Sequence, residues 1–545
     1  MSVVFLALVP LLIIGGLVIV GIAWWRRHDE KGDESGLDLI PYLLLALAVG
    51  VAGFSLARLA RASVGSDRLI GTPSTEIAAA LAGIVVAAPV AFFLWRRQAG
   101  RRRLMPETPG WPVYLMLLEG VFSIAFMVTV AQVADSLSNG SGPGSTWPNL
   151  VVYGAIVGFH WYSQGREPPA GEAGELPRLT GSAVSLVALA IGAYGLIHWL
   201  LWEGYDALTG GTDAVFVGGR PDPAIAIALT LVALPTWAYR WLPTWQRPSG
   251  VFRSLYAALI SAISLSALIG ATVTIVANTI SYPVDSAGPA SRYFGFIPTA
   301  LSVGVVGAAA WAHHHGRLGD GRTSAVRTYQ YSMAAIGLGV LVGSATALTA
   351  VAFDTRFIGG NPGQTLIGLG CSALASGAVW MWFWREAQTA PRGEEITTHQ
   401  RRIYLIGMAI VTGLTAAGAL IGTLVVLFRA LLGDAGSVGE SLRIPLALTS
   451  ISGAAFAHLF LQLRSDGASM PRTTTGPFSV TIVCSHPGQL PRMLPDEATV
   501  RVLYRSDDDG PVTDAMAEEI TRVVGTASSV VWVDGDGYRV ARLRQ

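Results

Sequence analysis

The sequence predicts an all-α polytopic membrane bundle of about thirteen spanning helices, one leading helix plus six parallel hairpin repeats, followed by a small cytoplasmic α/β domain. Three observations predict it. Of 545 residues, 52% are hydrophobic and only 13% charged, where a soluble globular chain carries about 25% charged residues. Apolar runs long enough to cross a hydrocarbon core, roughly 20 residues each, recur along the chain. The ends of those runs also resemble one another.

The first run, Val3 to Trp25, is the leading helix, and it and its loop make up residues 1–36. It lacks a basic leading region and a small-residue cleavage site, so it reads as a span and not as a signal peptide. Hairpins are expected at 37–105, 106–170, 171–248, 249–322, 323–394 and 395–465. Their runs start near Leu39 and Glu76, Trp111 and Pro148, Thr180 and Pro223, Val251 and Phe294, Val326 and Gln364, and Arg402 and Leu442. Nearly all lack internal charge, which is expensive at the bilayer centre.

The second helix of each hairpin ends on an aromatic, histidine or arginine cluster: "FFLWRRQ", "GFHWYSQ", "WAYRWLP", "AWAHHHGR", "WMWFWRE" and "AFAHLFLQLR". The anchor residues are Trp95, Trp161, Trp241, His314, Trp384 and His458, spaced 66, 80, 73, 70 and 74 apart. Trp and basic side chains of this kind form the belt at a membrane–water interface. The hairpin starts match as well, as in "VRTYQYSMAAIG" and "RRIYLIGMAIV", although the third, "RLTGSAVSLVALAIG", loses the tyrosine. Every hairpin enters and leaves on the same side, so the repeats are parallel, related by an axis along the membrane normal.

The Tyr-led first helix, the "LFRALLGD" corner (427–434) and the Trp/His/Arg exit together resemble a bacterial family of repeated two-helix membrane units catalogued as a domain of unknown function. Residues 402–464 carry the resemblance most closely, and it extends over 38–465. It implies an architecture and no activity, so no functional residue is carried over from it.

Orientation follows from the basic residues in the short loops. With the N-terminus outside, the inner loops hold twenty Lys and Arg and the outer loops eight. The C-terminus is therefore expected in the cytoplasm. Lys31 is the only lysine, a bias toward arginine that, with abundant Ala and Gly, suggests a GC-rich bacterium and its cytoplasmic membrane.

After a polar linker at 466–476, residues 477–545 read as soluble. "SVTIVCS" and "ATVRVLYR" are strands, and "TDAMAEEITRVVGT" is an amphipathic helix with Thr513 as N-cap and Gly525 as its stop. "SSVVWVD" and "YRVARLR" are strands joined by the hairpin signal "GDG". About 70 residues is near the lower size for independent folding. "CSHPG" (484–488) lacks any phosphate-loop signature and reads as a strand-to-loop turn, and "SDDDG" (506–510) reads as a solvated loop.

Charge and cysteine content exclude several functions. A net charge of +1 and two cysteines, Cys371 and Cys484, offer neither a nucleic-acid surface nor a zinc or disulfide framework. The triplet His313, His314 and His315 looks at first like a metal site. Consecutive helical residues point about 100° apart, so the three cannot converge on one ion, and the position is an anchor in every repeat. No metal or cofactor is expected. Spans of Ala, Gly, Ser, Thr and Leu suit close packing more than an aqueous pore, although an apolar cavity holding lipid stays open. No nucleophile, paired-carboxylate or H-x-x-x-H constellation lies within the helices, which argues against an enzyme.

Glu119 is the candidate functional residue. It lies in "YLMLLEGVFS", inside the inner boundary, where the other five hairpins carry no charge. One reading makes it a proton- or cation-linked carboxyl of a transporter or lipid-handling protein. The other makes it a satisfied structural carboxyl, with His160 as the expected partner. At the outer ends, Arg58, Arg61, Asp135, Asp354 and Arg429 are expected to pair between hairpins. The reading as a whole is a non-enzymatic scaffold or sensor in the lipid bilayer, with residues 477–545 binding a protein partner. Its oligomeric state is open.

Overall fold

The computed structural model describes residues from Ser35 onward, except 65–72, 105–109, 143, 145, 171, 210–222, 246–249, 285–288, 320, 322, 354–361, 389–394, 397, 434–437, 470–478, 486–489, 495–497, 505–511, 525–528, 535–536 and 543–545. The leading helix, the "SDDDG" loop, Gly525 and Asp354 therefore lie outside the described residues. The chain forms two compact units, one within 1–389 and 407–456, the other within 390–406 and 457–545.

The long helices are α1 (Ser35–Ser63), α2 (Pro73–Leu104), α3 (Gly110–Ser138), α4 (Trp147–Arg166), α5 (Leu176–Thr209) and α6 (Pro223–Trp245). They continue with α7 (Val251–Ser281), α8 (Ile297–His315), α9 (Ser324–Phe353), α10 (Pro362–Gln388), α11 (His399–Leu431) and α12 (Val438–Ser469). Among the described residues, eleven helical segments are long and apolar enough to cross a membrane. The protein is thus a multi-pass integral membrane protein. Helix α4 is the long helix that falls short. Its last turns carry His160, Trp161, Tyr162, Ser163 and Gln164, which dilute the apolar run begun at Leu150.

The polar residues within the spans are largely satisfied by their own helix. Ser185 Oγ donates to the Gly181 carbonyl at 2.8 Å, Ser261 to Ala257 at 2.7 Å and Ser302 to Pro298 at 2.6 Å. A hydroxyl returned to the carbonyl four residues back needs no water. These serines therefore do not mark a wet path.

Within the first unit, consecutive helices pack as hairpins: α1 with α2, α3 with α4, α5 with α6, α7 with α8 and α9 with α10. Across hairpins, α1 packs on α3 and α4, α3 on α5 and α6, α5 on α8, and α7 on α9 and α10. Small residues permit the closest crossings. A Cβ on Gly337 would come within 2.8 Å of the Trp380 backbone nitrogen, so α9 and α10 touch there backbone to backbone. In α11 and α12, Gly413 faces Phe456 and Gly422 faces Pro445, the register of an antiparallel pair.

The second unit contains the start of α11 and the end of α12. These are clamped by a two-point pair, Arg401 Nε to Asp466 Oδ2 at 2.6 Å and Nη2 to Oδ1 at 3.0 Å. It also contains the strands β1 (Ser479–Cys484), β2 (Thr499–Tyr504), β3 (Ser529–Asp534) and β4 (Gly537–Arg542), with helix α13 (Asp514–Val524) between β2 and β3. The sheet order is β2-β1-β3-β4, with β1 parallel to β2 and β3, and β4 antiparallel to β3. Parallel strands need a crossover, and α13 supplies it. The Met516 amide donates to Thr513 Oγ1 at 3.4 Å at the start of this helix. Val480, Ile482, Cys484, Val531 and Val533 alternate onto one face and bury Ala517, Ile520 and Val524, the period-2 and period-3.6 patterns meeting in one core.

Candidate functional site

Glu119 sits on α3 with 1% of its surface exposed. A bare carboxylate at that depth costs several kcal/mol, about 2.5–3.5 for aspartate on insertion scales, so it must be compensated. The compensating group is Arg240, near the end of α6. Its Nη2 donates to Glu119 Oε1 at 2.7 Å, and its Nη1 donates to Gln164 Oε1 on α4 at 2.8 Å. Trp161 on α4 donates its indole N–H to both carboxylate oxygens, at 2.8 and 3.1 Å. The guanidinium also lies over the Trp161 ring, 4.3 Å from its centroid, a favourable placement for a cation on an aromatic face. That ring also stacks with Tyr239.

The fifth component is a glycine. A Cβ on Gly181 of α5 would stand 2.5 Å from Glu119 Oε1, so α5 closes against the carboxylate only because residue 181 has no side chain. Four helices of two adjacent hairpins thus meet at one acid–base pair. Both members are buried, Arg240 at 4% exposed.

His160 is not the partner of Glu119. Its Nδ1–H donates to the Ile156 carbonyl at 2.7 Å, and its Nε2 and the Tyr114 hydroxyl are hydrogen-bonded at 3.0 Å. Both ring nitrogens are thus engaged away from Glu119. The carboxylate selects the guanidinium instead because only a cation offsets its charge, and the planar fork reaches two acceptors at once.

Arg240 was legible only as a loop charge. A usable signal was nevertheless present, because the residue before each anchor reads Leu94, His160, Arg240, His313, Phe383 and Ala457. Arg240 is the one arginine at that register, just as Glu119 is the one acid at its own. The two departures from the repeat are each other's partner.

Several of the anchors face a neighbouring helix. Trp95 packs edge-on against Trp111 of α3, at 5.7 Å between centroids. Trp241 and His314 are buried against each other at 5.3 Å, and Trp384 is also buried. His458 is exposed. The histidine triplet is used in aromatic packing and hydrogen bonds, His313 and His314 both against Trp241 and His315 elsewhere. His313 Nε2 accepts from the Trp241 indole at 2.9 Å, His314 Nδ1 donates to the Ala310 carbonyl at 2.9 Å, and His315 stacks on Trp311. Among the described residues, no group of three or more His, Cys, Asp and Glu is placed to hold a metal ion.

Further pairs join the helix ends on the same side as the anchors. Arg102 lies between the Trp95 and Trp111 rings, 4.3 Å from each centroid, with its Nε 3.2 Å from Glu167 Oε2. Arg253 pairs with Glu175. At the outer ends, among the described residues, Asp135 makes no ion pair with Arg58 or Arg61. Its carboxylate accepts from Asn139, one turn on in its own chain, at 3.0 Å, a partner that needs no second helix in place.

No curated protein and no solved structure matches the chain. A family model does match part of it: residues 327–454, from α9 into α12, correspond to a domain of unknown function, DUF5671.

Proposed function

We propose that this protein is a non-enzymatic membrane scaffold or sensor, whose six hairpins anchor the C-terminal α/β domain at the cytoplasmic face of a bacterial inner membrane. The observation that carries this reading is the use made of Glu119. A carboxylate that moved protons or cations would need to change partners during a cycle. This one is held by Arg240 and Trp161, with Gly181 pressed against it, and the charge that neutralises it comes from the next hairpin. Its chemistry is that of a joint between repeats. The packing of the first helix of each of the first four hairpins on the next hairpin supports the parallel-repeat architecture. The excess of Lys and Arg in one alternate set of loops, twenty against eight, supports the orientation.

The test is site-specific photo-crosslinking in cells, using the full-length chain with a crosslinker at Glu518 or Arg522, both exposed on α13. A scaffold yields a discrete crosslinked protein from these positions and none from positions in the outer loops. An absence of any crosslinked species from α13 and from the sheet would overturn the reading.

A further inference from the structure

The sheet of the α/β domain has one covered face and one open face. Alternation sends Val480, Ile482, Val531 and Val533 toward α13 and the intervening residues outward. Across all four strands, one outward row reads Leu503, Val483, Trp532, Arg539, and the next reads Arg501, Thr481, Val530, Ala541. Leu503 is 46% exposed and Trp532 40%, and both arginines are exposed. Neither arginine is paired among the described residues. The opposite side of the domain is acidic, with Asp514, Glu518 and Glu519 exposed on α13.

We propose that this open face docks on the bilayer that holds the chain's own spans, with anionic lipid headgroups as its ligand. The charge is complementary: two free arginines flank a Trp–Leu–Val strip, while the acidic helix faces away. Indole and guanidinium groups are the side chains suited to the headgroup layer. The tether is short as well. Ten residue steps separate the end of α12 at Ser469 from the start of β1 at Ser479, at most about 36 Å of extended chain. A linker of that reach keeps the face at high effective concentration beside the membrane. The proposal rests on the scaffold reading only in treating the α/β domain as a body carried by the spans. A missing protein partner would leave it standing, and a missing lipid contact would leave the scaffold standing.

The experiment uses the full chain, with Cys371→Ser and a spin label at Ala541→Cys, an exposed position on the open face, in proteoliposomes of phosphatidylcholine with or without phosphatidylglycerol. A label at Ala515→Cys, exposed on α13, is the control. With phosphatidylglycerol, the Ala541 label should become more accessible to oxygen than to a water-soluble nickel reagent, while the Ala515 label stays aqueous. The double variant Arg501→Gln/Arg539→Gln should lower the docked-to-free ratio roughly 25-fold, about fivefold per arginine. An Ala541 label that is equally aqueous in both lipids would overturn the proposal. So would one equally protected in both lipids and in detergent, since that outcome marks a protein contact.

Discussion

Glu119 and Arg240 can be removed singly or together, and the two experiments have opposite outcomes. Glu119→Gln strands the guanidinium among four helices, and Arg240→Gln strands the carboxylate. Breaking a buried pair from one side costs about 3–5 kcal/mol, so each single variant should unfold at a clearly lower temperature in detergent. The double variant removes both charges and leaves no ion buried without its partner, so much of the loss should return. A double-mutant cycle by thermal unfolding checks this, and additive single losses would mean that the residues do not act as a pair. Sequence reasoning reached Glu119 because a lone acid breaks an apolar repeat. It passed over Arg240, because an arginine between two tryptophans at a helix end is also what a cytoplasmic loop looks like. Charge counting cannot separate a solvated arginine from one folded back into the bundle, since that depends on which helix lies alongside.

At the scale of elements, hydropathy located the long helices well, because a span must be apolar along its length whatever it packs against. Helix α4 is the exception, and the reason is local: its last turns supply Trp161 and Gln164 to the pair and His160 to Tyr114. The repeated aromatic exits were legible as helix ends, but the neighbours they face were not. Trp241 and His314 meet each other across two hairpins, a fact of packing that periodicity does not encode. The strands and helix of the C-terminal domain were readable from alternation alone, and Cys484 shows what their core does to a titrating group. Burial pushes its thiol pKa up. The folded state therefore keeps a proton that the unfolded chain releases, and this contribution to stability is present below about pH 8.5, the ordinary thiol value, and lost as pH rises through the folded value. Alkylation of Cys484 in the intact full-length protein should accordingly be slow from neutral pH to about 8.5 and fast only on unfolding, as mass spectrometry of the modified peptide would reveal. Fast labelling of the folded chain at neutral pH would contradict the buried placement of β1.

For the whole molecule, the decisive issue is whether the intramembrane pair is a joint or a working part. A joint leaves the bundle closed to protons. Its residues can be exchanged for neutral ones once both are changed, and the α/β domain remains on its tether. A working carboxylate would be indispensable even in a stably folded protein. The most direct measurement is proton flux into proteoliposomes under an imposed pH gradient, for the wild type and the Glu119→Gln/Arg240→Gln variant side by side. If the pair is structural, neither protein carries flux above that of empty liposomes. A flux in the wild type that a folded double variant lacks would make Glu119 a proton carrier and end the scaffold reading.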